Sequence, residues 1–356
     1  MRSVLSLLVV ALCAGAASAD KVVLVAGGGT GGDGGKATEA KVVQPFAVDF
    51  DAEGNLYFAE MAGGERLRMI DEGGVIHTLA GSGKKGNADG GGDPLKAEFN
   101  GMHNLVVKGD TIYLADAFNA WVRTFDLKAK KLATFAGTGT KGFTGDNGPS
   151  LKAEFKETIC IALTPDGKTL YVADIGNKRI RAIDTKTGTV NTVAGNGEGK
   201  APKDGELAKD QPLVDPRAVA CDEKGNVYVL ERSGNALRVI DKDGKIRTVA
   251  GSGKKGSGGN GGPALKAEFN GPKYVSLDRD GSVLIADTEN HQIRRYIPGK
   301  ETVELVAGTG KAGKGFDTDP LKCELARPHG VSVHPKTGDL YIADSDNGRI
   351  LKIERK

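Results

Sequence analysis

The sequence predicts an all-β fold: a six-bladed β-propeller of four-stranded antiparallel blades, with the ring closed by the N-terminal strand. Three observations carry this. An Ala-Gly pair closes each unit at Gly27, Gly81, Gly137, Gly195, Gly251 and Gly308, at steps of 54 to 58 residues. An acidic residue recurs at Glu60, Asp116, Asp174, Glu231, Asp287 and Asp344, at steps of 56 to 58 residues. Between these anchors, stretches such as Leu170–Asp184 (LYVADIGNKRIRAID) read as strand, tight polar turn and strand. Self-similarity at a fixed period marks a repeat architecture. Repeated four-stranded units that leave only short sheet edges make a propeller.

The third unit shows the elements most clearly. Strands are expected over Ile159–Thr164, Thr169–Ala173, Arg179–Asp184 and Thr189–Ala194, from their alternating Val, Ile and Tyr. Pro165-Asp166-Gly167 and Thr187-Gly188 supply the turns. The last unit, from Arg327 to Lys356, supplies only three strands. The segment from Lys21 to Gly27 is expected to supply its fourth, which removes an open apolar edge.

Residues 1–19 read as a signal peptide ahead of one domain spanning 20–356. Arg2 gives a positive start, Val4 to Ala14 an apolar run, and Ala17-Ser18-Ala19 a cleavage signal before Asp20. The run is too short to span a membrane, and no other transmembrane segment follows. Export to the periplasm or the exterior is expected, as a monomer. Formal charge is +3, or +2 without Arg2, with acids and bases interspersed. That pattern is not a nucleic-acid footprint. Of the four cysteines, Cys160, Cys221 and Cys323 lie in the mature chain, an odd number that forms no closed disulfide framework.

Most of the 53 glycines fall in one recurring loop, such as Gly137–Phe155. Several copies end in Leu-Lys-Ala-Glu-Phe, read as a helical turn whose Leu (Leu95, Leu151, Leu265) and Phe (Phe99, Phe155, Phe269) pin the loop down. With strands named a to d from axis to rim, the a–b and c–d turns are short. The b–c turns and long d–a loops then share the other face, which is the functional candidate because binding residues concentrate on loops held by a rigid scaffold.

The first residues of the six a strands should line the funnel on that face: Phe46, His103, Ile159, Arg217, Lys273 and His329. Four of the strand-b acids sit in Asp-x-x-Asn turns (Asp116 with Asn119, Asp174 with Asn177, Asp287 with Asn290, Asp344 with Asn347), a structural use. Blades 1 and 4 have Glu60 and Glu231 instead, with Gly64 and Gly234 at the Asn position. Either these copies have drifted, or each freed Glu reaches the funnel. In the second case His329, Glu60 and His103 converge from three consecutive blades as a two-His, one-carboxylate set for a divalent metal. On the other arc, Arg217 and Lys273 beside Glu231 suit a carboxylate or phosphate, or simply balance the acids. Trp121 begins strand c of blade 2, as a binding anchor or as rim packing.

Gly330-Val-Ser-Val, Asp339-Leu-Tyr-Ile-Ala-Asp344 and Asn347-Gly-Arg-Ile350, repeated in the other units, resemble the NHL-repeat propeller family over essentially the whole mature chain. The resemblance implies a loop-rich face presented to a protein, peptide or polymer ligand. It also admits an alternative, a metal-dependent lyase or hydrolase in the funnel. The peptidylhydroxyglycine amidating lyase has NHL repeats and holds a metal with histidines from several blades. The regucalcin and gluconolactonase group holds a divalent metal with acid and Asn ligands. On that reading one zinc, iron or calcium ion would sit with His103, His329 and Glu60.

Overall fold

The computed structural model describes residues 20–356; the expected signal peptide lies outside them. They form six sheets of antiparallel strands. Strands a to d are Pro45–Phe50, Leu56–Glu60, Arg66–Ile70 and Ile76–Ala80 in blade 1. In blade 2 they are Met102–Lys108, Thr111–Asp116, Trp121–Asp126 and Lys131–Ala136. In blade 3 they are Thr158–Leu163, Thr169–Asp174, Arg179–Asp184 and Thr189–Ala194, and in blade 4 Pro216–Cys221, Val227–Glu231, Ala236–Ile240 and Ile246–Ala250. Blade 5 has Tyr274–Leu277, Val283–Asp287, Gln292–Ile297 and Thr302–Ala307. Blade 6 has Gly330–Val333, Leu340–Asp344 and Arg349–Glu354. Its fourth strand is Lys21–Ala26, paired antiparallel from Lys21 opposite Glu354 to Ala26 opposite Ile350. The ring therefore closes as the sequence predicts. No helix among the described residues is long and apolar enough to cross a membrane.

Alternation puts one face of each blade against its neighbour, and the core is the stack of these inter-blade layers (Phe58, Leu114, Val172, Val229, Ile285 and Ile342, all at most 1% exposed). Burying such side chains contributes about 1.5–3 kcal/mol each.

A polar device repeats in all six blades. One oxygen of each strand-b acid accepts the backbone N–H of the loop entering that blade, at Val43, Asn100, Lys156, Val214, Asn270 and Ala326. The other oxygen faces a buried strand-c arginine: Arg68, Arg123, Arg181, Arg238, Arg294 and Arg349. In four blades that guanidinium also donates to the carbonyl of the loop glutamate, at Glu98, Glu154, Glu268 and Glu324. In three it stacks on the adjoining Phe99, Phe155 or Phe269. In blades 3 to 6 every guanidinium nitrogen is engaged, while Arg68 Nε and Arg123 Nε are not, and a buried ion pair so engaged escapes the penalty of an orphaned charge. Each unit thus staples strand b, strand c and the incoming loop.

The long loops take an unexpected route. Their phenylalanines are fully buried, but Leu95, Leu151 and Leu265 are 50–57% exposed, so Phe alone pins the loop. After leaving strand d, the loops that enter blades 1, 3, 4 and 5 run down the outer edge of the next blade. Ser150 N–H bonds Gly188 O in the c–d turn of blade 3, as Ala208 bonds Gly244 in blade 4 and Ala264 bonds Glu301 in blade 5. Gly148–Pro149 even pairs as a fifth strand with Thr189–Ala194. Much of the loop glycine therefore serves to cover sheet edges, and does not decorate the upper face.

Candidate functional site: the axial funnel

The six a strands, with Lys273 and His329 standing just before theirs, place Phe46, His103, Ile159, Arg217, Lys273 and His329 around one cavity of about 270 Å³. It opens on the face of the b–c turns. The same six, with Asn104, Cys160 and Tyr274, close below it on a neck of about 10 Å³, room for about one water. A second opening of about 160 Å³ lies beneath the neck, lined by Asp49, Asn104, Cys160, Tyr274 and Ser332.

The funnel wall has two unlike arcs. Blades 1 to 3 contribute Phe46, Met61, Phe118, Ile159 and Ile175, with Gln44, His103 and Glu157 among them. Blades 4 to 6 contribute Arg217, Arg232, Lys273 and Arg327. Three of these four cations are held against carboxylates. Arg232 Nε lies 2.7 Å from Asp215. Lys273 Nζ and Arg327 lie 2.6 and 2.8 Å from the same Glu289 carboxylate. Arg217 differs: it is 5% exposed, and among the described residues no carboxylate lies within ion-pair distance of it. Its Nε has no hydrogen-bond partner, and one terminal nitrogen donates to His103 Nδ1 at 3.3 Å. Burial first, then the Arg232 charge, lowers its pKa to about 10, so it remains a cation at neutral pH.

Both funnel histidines are neutral. Burial first, then Arg217 and Lys273, hold their pKa values well below 6.5. Their partners set the tautomers. His103 accepts at Nδ1 from Arg217, which leaves its Nε2–H a donor. His329 donates Nδ1–H to the Arg327 carbonyl at 2.7 Å, which leaves its Nε2 an acceptor.

The three expected metal ligands do not converge. Phe46 lies between the imidazoles, stacked on His329 at 4.0 Å and edge-on to His103 at 4.9 Å. Glu60 is 1% exposed and bonded to Val43 N–H and Arg68, away from the funnel wall. Among the described residues no three His, Cys, Asp or Glu side chains are grouped to hold an ion. The residues present do not fit the zinc, iron or calcium site that the sequence suggests.

Glu231 is bound the same way, by Val214 N–H and by Arg238 at 2.7 Å, so it does not join Arg217 and Lys273. The reason lies in the paired glycines. A Cβ on Gly234 would sit 2.5 Å from Glu231 Oε2, and one on Gly64 would sit 2.4 Å from Glu60 Cβ. The longer Glu fills the space that Asp and Asn share elsewhere, so Glu-with-Gly is a second solution to the same staple. Trp121 lies against Gly137, Gly139 and Arg123 at the blade rim, outside the funnel. Cys160, Cys221 and Cys323 are free thiols. Burial pushes Cys160 up to about 11, which leaves it a protonated wall group.

The sequence reading missed the apolar arc beyond strand a. Met61 and Ile175 directly follow the strand-b acids and Phe118 stands two residues after its acid, so the start of each b–c turn was the available signal.

Comparison with known proteins agrees with this architecture. The NHL repeat family profile matches residues 269–296 and 325–353, and the teneurin NHL domain profile matches 17–98. SUPPRESSOR OF QUENCHING 1 of Arabidopsis thaliana is 27% identical over 291 residues, covering 78% of this chain and 27% of that protein. NHL repeat-containing protein 2 of Gallus gallus is 24% identical over 348 residues, covering 88% of this chain and 47% of its own length. The chain thus spans less than half of these relatives. Among solved structures, an auxiliary nutrient binding protein from Bacteroides ovatus superposes with a TM-score of 0.68 at 14% identity, over 94% of this chain and 76% of that one. Virginiamycin B lyase from Staphylococcus aureus superposes at 0.55 and 12% identity, over 89% and 96%. With its repeat anchors, closed ring of six blades and profile matches, this chain is a six-bladed propeller that carries NHL repeats.

Proposed function

We propose that the protein is an exported, monomeric binding platform whose funnel receives the apolar, carboxylate-bearing end of a peptide or polymer. The signal peptide would be cleaved before Asp20, as N-terminal sequencing of the exported protein would verify. The fold is shared by a nutrient binding protein and a lyase, so fold alone does not choose between them. Arg217 carries the reading. A buried cation without a carboxylate is costly to hold, and a ligand carboxylate would relieve that cost with charge-assisted bonds. His103 Nε2–H adds a donor, and His329 Nε2 accepts from a ligand N–H or O–H. Phe46, Met61 and Phe118 opposite suit an apolar body. At about 270 Å³ the funnel takes one residue-sized group, not a whole polymer.

The test is calorimetric titration with matched pairs: phenylacetate against phenylacetamide, and a Phe-ended peptide acid against its amide. The acids should bind, the amides should lose about tenfold or more, and Arg217→Gln should remove the difference. Equal binding of acids and amides would refute the proposal.

A further inference from the structure

The outer edges of the blades are treated unequally. On blade 1 the incoming loop bonds Ile76 in both directions, through Gly34 N–H and Gly35 O. Val190, Ile246 and Val303 receive the same kind of bond from Asn147, Gly205 and Gly261, and Val22 N–H donates to Thr318 O on blade 6. The equivalent residue of blade 2 is Leu132. Among the described residues no backbone bond joins its strand to the incoming loop. The consequence is exposure: Val190, Ile246, Val303 and Ile76 are fully buried, whereas Leu132 is partly exposed and its neighbours Lys131, Ala133 and Thr134 are exposed.

A side-chain defect accompanies the missing bonds. In blades 1 and 3 the covering segment brings an aspartate to the strand-c arginine: Asp33 to Arg68 at 2.7 Å and Asp146 to Arg181 at 2.8 Å. The same carboxylates bind strand d, at Thr78 N–H and the Thr192 hydroxyl. In blade 4 Asp204 binds Thr248, and in blade 5 Asn260 binds Arg294. Blade 2 has the arginine and the threonine, Arg123 and Thr134, but no such partner. Arg123 is 3% exposed, and its Nε is buried with no hydrogen-bond partner; Arg68 Nε is in the same state, so the missing aspartate is what sets blade 2 apart.

The sequence supplies the cause. The loops over blades 2 and 3 have equal length, and Asp89-Gly90 stands where the other has Gly145-Asp146. Gly145 has φ +90°, a region that disfavours aspartate. Asp89 instead takes φ −80° and accepts from Gly91 N–H at 2.9 Å, and the loop turns through Gly90–Gly92 with positive φ at all three and no backbone bond to the strand.

We infer that the outer edge of blade 2 is a docking site for an acidic, extended segment of a partner protein. That segment would add a strand beside Lys131–Ala136 and carry a carboxylate to Arg123 and Thr134. The occupant's chemistry follows from what fills this place in blades 1 and 3. Lys130 and Lys131 add positive charge at one end of the edge. They also oppose self-pairing, because a second copy would offer only the same basic edge.

The probe is a C-terminally amidated peptide of residues 141–151, the segment that covers blade 3, with no end carboxylate to offer the funnel, titrated into the purified protein by fluorescence anisotropy. Saturable binding is expected. It should fall about tenfold or more when the peptide carries Ala for Asp146. It should also disappear in the double variant Asp89→Gly/Gly90→Asp, which rebuilds the cover, while Arg217→Gln leaves it unchanged. Hydrogen exchange should slow at Leu132 and Thr134 on binding. No binding, or binding indifferent to the double variant, would overturn the inference. So would a concentration-dependent dimer that the double variant abolishes, which would assign the edge to a second copy.

Discussion

The six blades agree at their staples and disagree at their axis. The acid, the strand-c arginine and the incoming N–H recur in every unit, even where Glu with Gly replaces Asp with Asn, or where Arg349 serves from two residues earlier in its strand than Arg181. The axial residues are Phe, His, Ile, Arg, Lys and His, with no unit resembling the next. The same residue type has opposite standing in the two places. Arg181 is fully buried with carboxylates at 2.8 and 3.6 Å. Arg217 is nearly as buried with none. Repetition therefore marks what the ring needs to close, and variation at a repeated position marks what the ring presents.

The sharpest way to break the staple is at its unusual copies. Gly234→Asn alone should destabilise by about 1–3 kcal/mol, because its side chain meets Glu231. Adding Glu231→Asp should recover much of that loss, a coupling of about 0.5–3 kcal/mol in a denaturation cycle. Additive effects would mean that Glu-with-Gly is not one unit.

A smaller effect tests the axis. The unfolded chain protonates its histidines below about pH 6.5, while folded His103 and His329 stay neutral to much lower pH. The unfolded state then binds more protons, so stability falls as pH drops below about 6.5, by up to about 1.4 kcal/mol per pH unit for each histidine. Replacing both with Phe should flatten that part of the stability–pH curve. An unchanged slope would place both imidazoles in a more charge-tolerant setting.

The ring, the closing strand and the axial register were legible because strand periodicity fixes which residue of each unit faces inward, and the period then carries one assignment to all six. The fate of Glu60 and Glu231 was not. A lost Asn looks like a freed carboxylate until the glycine beside it is seen to make room for that carboxylate. The leucines of Leu-Lys-Ala-Glu-Phe misled because hydrophobicity alone does not say which side of a single turn is buried. The loops' descent over the outer edges depends on backbone bonds that no side chain announces. The strand-c arginine was visible in Arg-Ile-Arg, but its loop partners lie about 25 to 37 residues earlier in the chain, beyond any local pattern.

The most direct measurement compares urea unfolding of Arg217→Met and Arg181→Met. Removing Arg181 orphans Asp174 and should cost about 3–5 kcal/mol. Removing Arg217 strands no carboxylate, and Met fills much of its volume, so stability should be unchanged or higher while carboxylate binding is lost. Equal, large losses in both variants would show that the axial arginine is one more structural element, and would contradict the division drawn between staple and axis.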